Sequence, residues 1–424
     1  MTAGERLWAS YLIETAFPVE EAAEGLAGEQ STGTFVRLPG ETDALREAHG
    51  ARIERIEPLE PAPAPSLPGA KRPSSARHSV CNRAKVEISW PIANFGLSLP
   101  NVLATVAGNL FELGYFSGLR LLDIRFPAAF AGAYPGPRFG AAGTRRLTGV
   151  AAGPLIGTII KPSVGLSPEA TAAIVRQLCD GGIDFIKDDE LQANGPHCPL
   201  PARVDAVMRV INEHKERTGK RVMYAFNVTD ELDQMKRHHD HVLAAGGSCV
   251  MVSLNSAGLV GLGALYRHCQ LPIHAHRNGW GYLSRAPLLG FSYVAWQKFW
   301  RLAGVDHMHV NGIRNKFCED DESVIASARA CLSPMFAPPA RGHEVMPVLS
   351  SGQWAGQAAD SYCAIGSSDV IYAAGGGIMA HPQGIAAGVA SIREAWEAAM
   401  AGVDATRYAE RHPALAQALQ AFGS

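Results

Sequence analysis

The chain has 424 residues, 47% of them hydrophobic and 18% charged, with Lys plus Arg at 38 against Asp plus Glu at 40. That length allows two or three domains with sizeable buried cores. A formal net charge of -2 without a basic tail or stripe argues against nucleic acid as the partner.

No run of about 18 apolar residues occurs, so no membrane span is expected. The first 30 residues carry Glu5, Glu14, Glu20, Glu21 and Glu24 and no continuous apolar stretch, so no signal peptide is expected either. The eight cysteines are scattered, form no CxxC pair, and several sit in apolar runs. This pattern suits reduced cysteine packed as a small hydrophobe and points to the cytoplasm.

In chain order, residues 57–76 are rich in proline, serine and alanine and read as an extended surface loop. VEISWPIANFG then reads as a strand, NVLATVAGNLFELG as a helix of 3.6-residue apolar period, and LRLLDIRFP as another strand. Residues 1–136 are accordingly expected to form one smaller α+β domain, with AGAYPGPRFG as its exit. From about 150 short apolar strands alternate with helix-like segments, the pattern of βα units. The strands are LIGTIIK, DFIKDDE, VMYAFNV, CVMVSL, LPIHAHR, DHMHVN, VMPVLSS and DVIYAAGG, and PEATAAIVRQLCDGG is a helix ending in glycines. Eight such repeats over 137–424 predict an α/β fold, a (β/α)8 TIM barrel with C-terminal helices. An open doubly wound sheet is the competing arrangement.

Barrels of this kind carry their chemistry at the C-terminal ends of the strands. Here those ends bear Lys161, the run Lys187-Asp188-Asp189-Glu190, Asn227, His274, His276, Arg277, His307, His309, Ser350-Ser351-Gly352 and Gly375-Gly376-Gly377. Strand alternation puts Lys187 and Asp189 on one face, with Glu190 joining from the loop. Two carboxylates suit a hard cation such as Mg2+. The amine of Lys187 fits such a site once CO2 has converted it to a carbamate, a third anionic ligand. An ordinary Lys–Asp ion pair on a strand is the alternative. Lys161 is placed to act as a general base, or equally as a phosphate-binding or surface lysine. The glycines of 350–352 and 375–377 fall where barrel loops cradle phosphate, although such glycines also make plain tight turns. Arg277 and His309 suit a second anionic group. His274, His276 and His307 also fit hydrogen-bonded structural roles.

GTIIKPSVGLS followed by GGIDFIKDDE resembles the paired strand signatures of the RuBisCO large-chain superfamily. EQSTGTF, GNLFELG, IHAHR, DHMH, LSSG and GGG resemble other segments of that family in the same order. The resemblance implies that Lys187, as its carbamate, Asp189 and Glu190 hold magnesium, and that Lys161 is the enolising base. It implies proton handling and hydroxyl contacts for His276, one phosphate site at Arg277, His309 and Ser350, and another at Thr34, Gly352, Gly375 and Gly376. Glu29 and Asn109 match residues that the family brings from a neighbouring subunit, which implies a homodimer with shared sites or a higher assembly of dimers.

The departures from the carboxylase pattern are Ser163 for a second lysine, Phe35 for a tryptophan, Trp280 for a histidine, and HVNGIRNKFCEDD for the glycine-rich mobile loop, in which Lys316 aligns with the loop lysine. These changes speak against ribulose-bisphosphate carboxylation and for a RuBisCO-like protein. Its pattern is similar to the branch that cleaves a carbon–carbon bond of 3-oxo-isoapionate 4-phosphate in apiose catabolism, by decarboxylation or hydrolytic transfer. The alternatives are a 5-methylthioribulose-phosphate isomerase or enolase, a true carboxylase, and a non-catalytic binding barrel.

Overall fold

A computed structural model describes residues 4–33, 38–73 and 80–423. Along the chain come strands β1 (Arg6–Thr15), β2 (Arg52–Ala62), β3 (Cys81–Pro91) and β4 (Phe116–Arg125). They are followed by β5 (Leu155–Ile159), β6 (Phe185–Lys187), β7 (Met223–Asn227), β8 (Cys249–Ser253), β9 (Ile273–His276), β10 (Leu289–Phe291), β11 (His307–His309), β12 (Met346–Leu349) and β13 (Ile371–Ala373). Two compact units result, one of Met1–Pro135, Gly279–Leu302 and Met335–Gly342, the other of Gly136–Asn278, Ala303–Pro334 and His343–Ser424.

The first unit is built on a five-stranded mixed sheet in the order β10-β4-β1-β3-β2, with β10 alone pairing in parallel. Its central strand β1 was not anticipated from the sequence, although Leu7, Ala9, Tyr11 and Ile13 alternate onto one fully buried face. Three readings of this region are corrected. Residues 57–62, expected in a loop, belong to β2; Pro58 and Pro61 are tolerated because β2 is an edge strand bonded only to β3. The VEISWPIANFG strand stops at Pro91, after which Ile92–Asn94 turns as a short 3-10 helix. The helix expected through NVLATVAGNLFELG ends at Ala107, and a separate 3-10 turn spans Asn109–Glu112. Gly108 makes that break: a side chain there would sit 2.4 Å from the carbonyl oxygen of Ala104.

In the second unit the eight strands expected from the sequence close into a parallel barrel in the order β11-β12-β13-β5-β6-β7-β8-β9, which excludes the open doubly wound sheet. Leu155, Phe185, Met223, Met251, Met346, Val348 and Ile371 fill its interior. Each such side chain contributes roughly 1.5–3 kcal/mol when fully buried. The helix predicted after β5 spans Pro168–Asp180. The Ser167 hydroxyl caps it by accepting from the Ala170 N–H, and Gly182 takes a positive φ of 80° just past its end. Among the described residues no helix is long and apolar enough to cross a membrane, and no two cysteines are joined in a disulfide.

Candidate active site

The inward face of β6 runs from Phe185, in the barrel core, to Lys187, which is fully buried. The Lys187 ammonium donates to the Asp188 carbonyl at 2.7 Å and lies 3.8 Å from Glu190 Oε2. Burial pushes its pKa down, against the opposing pull of Glu190, Asp189 and Asp188, and the positive charge of Lys161 adds to the depression. A buried lysine with a depressed pKa is the amine that adds CO2 readily. Asp189 turns one oxygen to the Leu191 N–H at 3.1 Å and the other to the Lys161 ammonium at 2.5 Å. Burial raises its pKa, but Lys161 and the Leu191 N–H outweigh that and hold it below the usual carboxylate range. Lys161 also donates to the Ser163 hydroxyl at 2.8 Å. A cation therefore already sits at the Asp189 carboxylate, beside a second acid and a lysine suited to carbamate formation. Lys187, Asp189 and Glu190 fit a divalent metal.

Asp188 points the other way and anchors the run. Its carboxylate accepts from Arg203 at 3.0 Å, from the Tyr224 hydroxyl at 2.6 Å and from the Asn227 N–H at 2.8 Å. Both Asp188 and Arg203 are completely buried. The side-chain amide of Asn227 in turn donates to the carbonyls of Asp189 and Glu190, each at 3.3 Å. Arg203, on the helix Leu200–Thr218, and Tyr224 are positioning residues that sequence reasoning missed. The signal available was a lone arginine among the apolar positions of a barrel helix.

The histidines divide into two groups. His276 accepts from the Asn278 N–H at its Nδ1, at 3.3 Å, which leaves Nε2 as the protonated nitrogen, 3.5 Å from Glu190. Burial, aided by the charge of Lys187, pushes its pKa down to about 3. His307 lies deeper. The Thr144 hydroxyl donates to the Gly140 carbonyl at 2.6 Å, so it accepts from His307 Nε2 at 2.7 Å, a structural contact. His274 and His309 share a bond of 2.8 Å between their Nε2 atoms, and His309 Nδ1 meets the Ser350 hydroxyl at 3.0 Å.

Lys161, Lys187, Asp189, Glu190 and His276 thus converge, and His309 and Ser350 are bonded to each other. Arg277 carries an acid that sequence reasoning did not foresee, since Glu319 lies 2.5 Å from its Nη2. Lys316 is exposed, with its ammonium 5.3 Å from the Phe317 ring centre and its backbone N–H bonded to the Ser351 carbonyl. Among the described residues, the N–H groups of Gly352, Gly375 and Gly376 have no backbone acceptor. Glu29 ends the helix Val19–Glu29 and Asn109 opens the 3-10 turn, both in the first unit; Thr34 and Phe35 lie outside the described residues.

A second cluster with metal-ligating groups is His239, Asp240 and His268. There the Gln270 N–H donates to His239 Nε2 at 3.0 Å, which places the ring proton on Nδ1, facing Asp240 at 3.0 Å. With that proton in place the trio is a hydrogen-bonded network. A cavity of about 310 Å3 is lined by Val222, Ser248 and Pro272, each just before a barrel strand, and so lies at the end opposite the charged mouth.

A closed parallel barrel with this lysine and acid cluster defines a RuBisCO-type protein, and the family models agree. The ribulose bisphosphate carboxylase large chain catalytic domain matches residues 140–422, and the N-terminal domain of the same large chain matches 3–130. The chain belongs to the ribulose bisphosphate carboxylase large-chain family. It is 58% identical to a 3-oxo-isoapionate-4-phosphate transcarboxylase/hydrolase of Xanthobacter autotrophicus, over 98% of this chain and 99% of that protein. It is 44% identical to a 3-oxo-isoapionate-4-phosphate decarboxylase of Rhizobium rhizogenes, over 97% of each. A crystal structure of a rubisco-like protein from Burkholderia fungorum superposes with a TM-score of 0.91 at 48% identity, covering 98% of this chain and 100% of that one.

Proposed function

We propose that this protein is a RuBisCO-like enzyme of carbohydrate catabolism that breaks the carbon–carbon bond beside the carbonyl of 3-oxo-isoapionate 4-phosphate. The observation that carries this reading is the contact of Lys161 with Asp189, next to the buried amine of Lys187. It joins a proton-transfer lysine to an acid pair suited to a metal.

Lys187 as its carbamate, Asp189 and Glu190 would hold Mg2+, which polarises the substrate carbonyl as a Lewis acid. The rest falls to the chain itself. The amides of Gly352, Gly375 and Gly376 bind the phosphate. As the carbon–carbon bond breaks, the carboxyl group leaves as CO2 and the bond's electron pair moves onto the oxygen of the 3-oxo group. The enolate then either takes a proton from the Lys161 ammonium at carbon or, in transfer, recaptures the CO2 at its other carbon, after which water cleaves the adduct. His276 Nε2–H donates to a substrate oxygen, and Asn227 keeps the acid run in place. Glu29 and Asn109 complete the site from a second subunit in a homodimer, a reading supported by family relatives described as dimeric and octameric RuBisCOs.

The test supplies 3-oxo-isoapionate 4-phosphate with Mg2+ and follows the carboxyl carbon. The relative at 58% identity makes transfer or hydrolysis the expected outcome over free CO2 release. Turnover of 5-methylthioribulose phosphate alone, or labelled bicarbonate appearing in phosphoglycerate, contradicts the proposal.

A further inference from the structure

Two corners of the barrel mouth differ in charge. At one, Arg277 follows β9, while His309, bonded to Ser350, and Asn311 stand at the ends of β11 and β12. At the other, Gly352, Gly375 and Gly376 present backbone amides, and exposed Lys316 lies against Gly352, its backbone nitrogen 3.7 Å from where a Cβ on that glycine would stand.

The arginine corner contains its own anion. Glu319 Oε2 accepts from Arg277 at 2.5 Å and from the Asn311 side-chain amide at 2.7 Å, while Oε1 accepts from the Ser323 hydroxyl at 2.9 Å. The two charged side chains are only 9% and 14% exposed. The chain around Glu319 is fixed: Asn315 bonds its carbonyl at 3.0 Å, and Asp320 caps the next helix by accepting from the Ser323 N–H at 2.7 Å. The approach to it is fixed as well, because the Asn311 side chain bonds the Ser351 hydroxyl at 2.7 Å and the Ile313 carbonyl accepts from Gln353 and Gln357. Burial keeps His309 neutral, so it adds hydrogen bonding to this corner and no charge.

We propose that Glu319 is a specificity-determining residue. Its carboxylate cancels the charge of Arg277, so the enzyme takes a sugar with a single phosphate, held at the glycine corner, and receives an uncharged hydroxyl-bearing end at Arg277. This rests on the sugar-phosphate reading given above and adds the polarity with which the substrate lies. A second phosphate at Arg277 would face the Glu319 carboxylate, and separating that enclosed pair to admit it leaves a buried charge without its partner. A hydroxyl meets acceptors and donors there with no net charge to oppose it.

The experiment is calorimetric binding of a pentitol 5-phosphate and a pentitol 1,5-bisphosphate, with Mg2+ present, to the wild type, Glu319→Gln and the double variant Arg277→Met/Glu319→Met. The wild type binds the bisphosphate no more tightly than the monophosphate. Glu319→Gln shifts the ratio of the two affinities towards the bisphosphate by about tenfold or more, as removal of a close like charge does. The double variant, neutral again at this corner, returns to the wild-type ratio. A wild type that already prefers the bisphosphate by about tenfold overturns the proposal without any variant. So does a folded Glu319→Gln protein with an unchanged ratio, while monophosphate binding leaves the sugar-phosphate reading standing. A wild type that binds neither compound removes that reading and this proposal together.

Discussion

The Lys161 ammonium lies 2.5 Å from Asp189 Oδ2, and the acid is almost fully buried while the lysine is 45% exposed. The lysine therefore stands where a divalent cation would bind the acid, and it is the more exposed partner of the two. Mg2+ binding is expected to separate the pair and release Lys161 towards the substrate. Lys161→Met should lower kcat by about 10²–10⁴-fold, the range of general acid–base catalysis, with Mg2+ binding retained. Asp189→Asn should instead weaken Mg2+ binding by about tenfold or more, because it removes an anionic oxygen ligand. Calorimetric titration with Mg2+ beside steady-state kinetics separates the two effects.

Asp188 and Arg203 form a completely buried ion pair behind the same strand. Arg203→Met leaves the carboxylate with the Tyr224 hydroxyl and the Asn227 N–H but without its counter-charge. Removing one partner of such a pair destabilises by about 3–5 kcal/mol. Denaturant unfolding checks this, and Arg203→Lys should recover part of the loss. Because Asp188 anchors the run between Lys187, at the end of β6, and Asp189, kcat should fall more than KM rises.

The barrel was legible because eight short apolar runs recur at roughly even intervals, several of them ending in a charged, histidine or glycine residue. Strand alternation places Lys187 and Asp189 on one face, with Glu190 joining from the loop, and the structure brings these three side chains near one another. What escaped was pairing across the fold. Asp188 lies in the same run, but its partner Arg203 is on a helix 15 residues on, and nothing in the local pattern joins them. Glu319 likewise reads as one more loop acid until the turn after β11 brings it to Arg277, 42 residues away. In the first unit, the prolines of 58–61 suggested a loop because whether a proline lies at a sheet edge depends on strand order, which a local reading does not contain.

His274 and His307 are buried in the barrel; burial pushes the His307 pKa down to about 3 and that of His274 well below the usual histidine range. For His274, the charges of His307 and Lys187 add to the effect. Their folded-state pKa values lie below the unfolded value, so the unfolded chain binds protons that the native protein does not. Stability should therefore decline as pH falls below about 6.5, by up to about 1.4 kcal/mol per pH unit for each histidine, and level off below the folded values. Urea unfolding between pH 7 and pH 4 measures the slope, and His307→Gln should reduce it.

The segment after β11 is tied down at several points: Gln353 and Gln357 donate to the Ile313 carbonyl at 3.1 and 3.0 Å, and Lys316 N–H donates to Ser351. Gln353→Ala with Gln357→Ala should speed amide exchange across residues 311–316 by about tenfold or more, as expected when local opening loses two buried bonds. Exchange in the wild type as fast as in the variant contradicts a fixed loop.

The central claim is that Lys187, Asp189 and Glu190 support metal-dependent cleavage of a 3-oxo sugar-acid phosphate. Its most direct test is turnover of 3-oxo-isoapionate 4-phosphate by the wild type and by Lys187→Met, with CO2 and Mg2+ supplied or withdrawn. Turnover that needs both, and that falls by about 10³-fold or more in the variant, is the predicted result. Full turnover after CO2 is removed and Mg2+ is chelated, or in Lys187→Met, would contradict it.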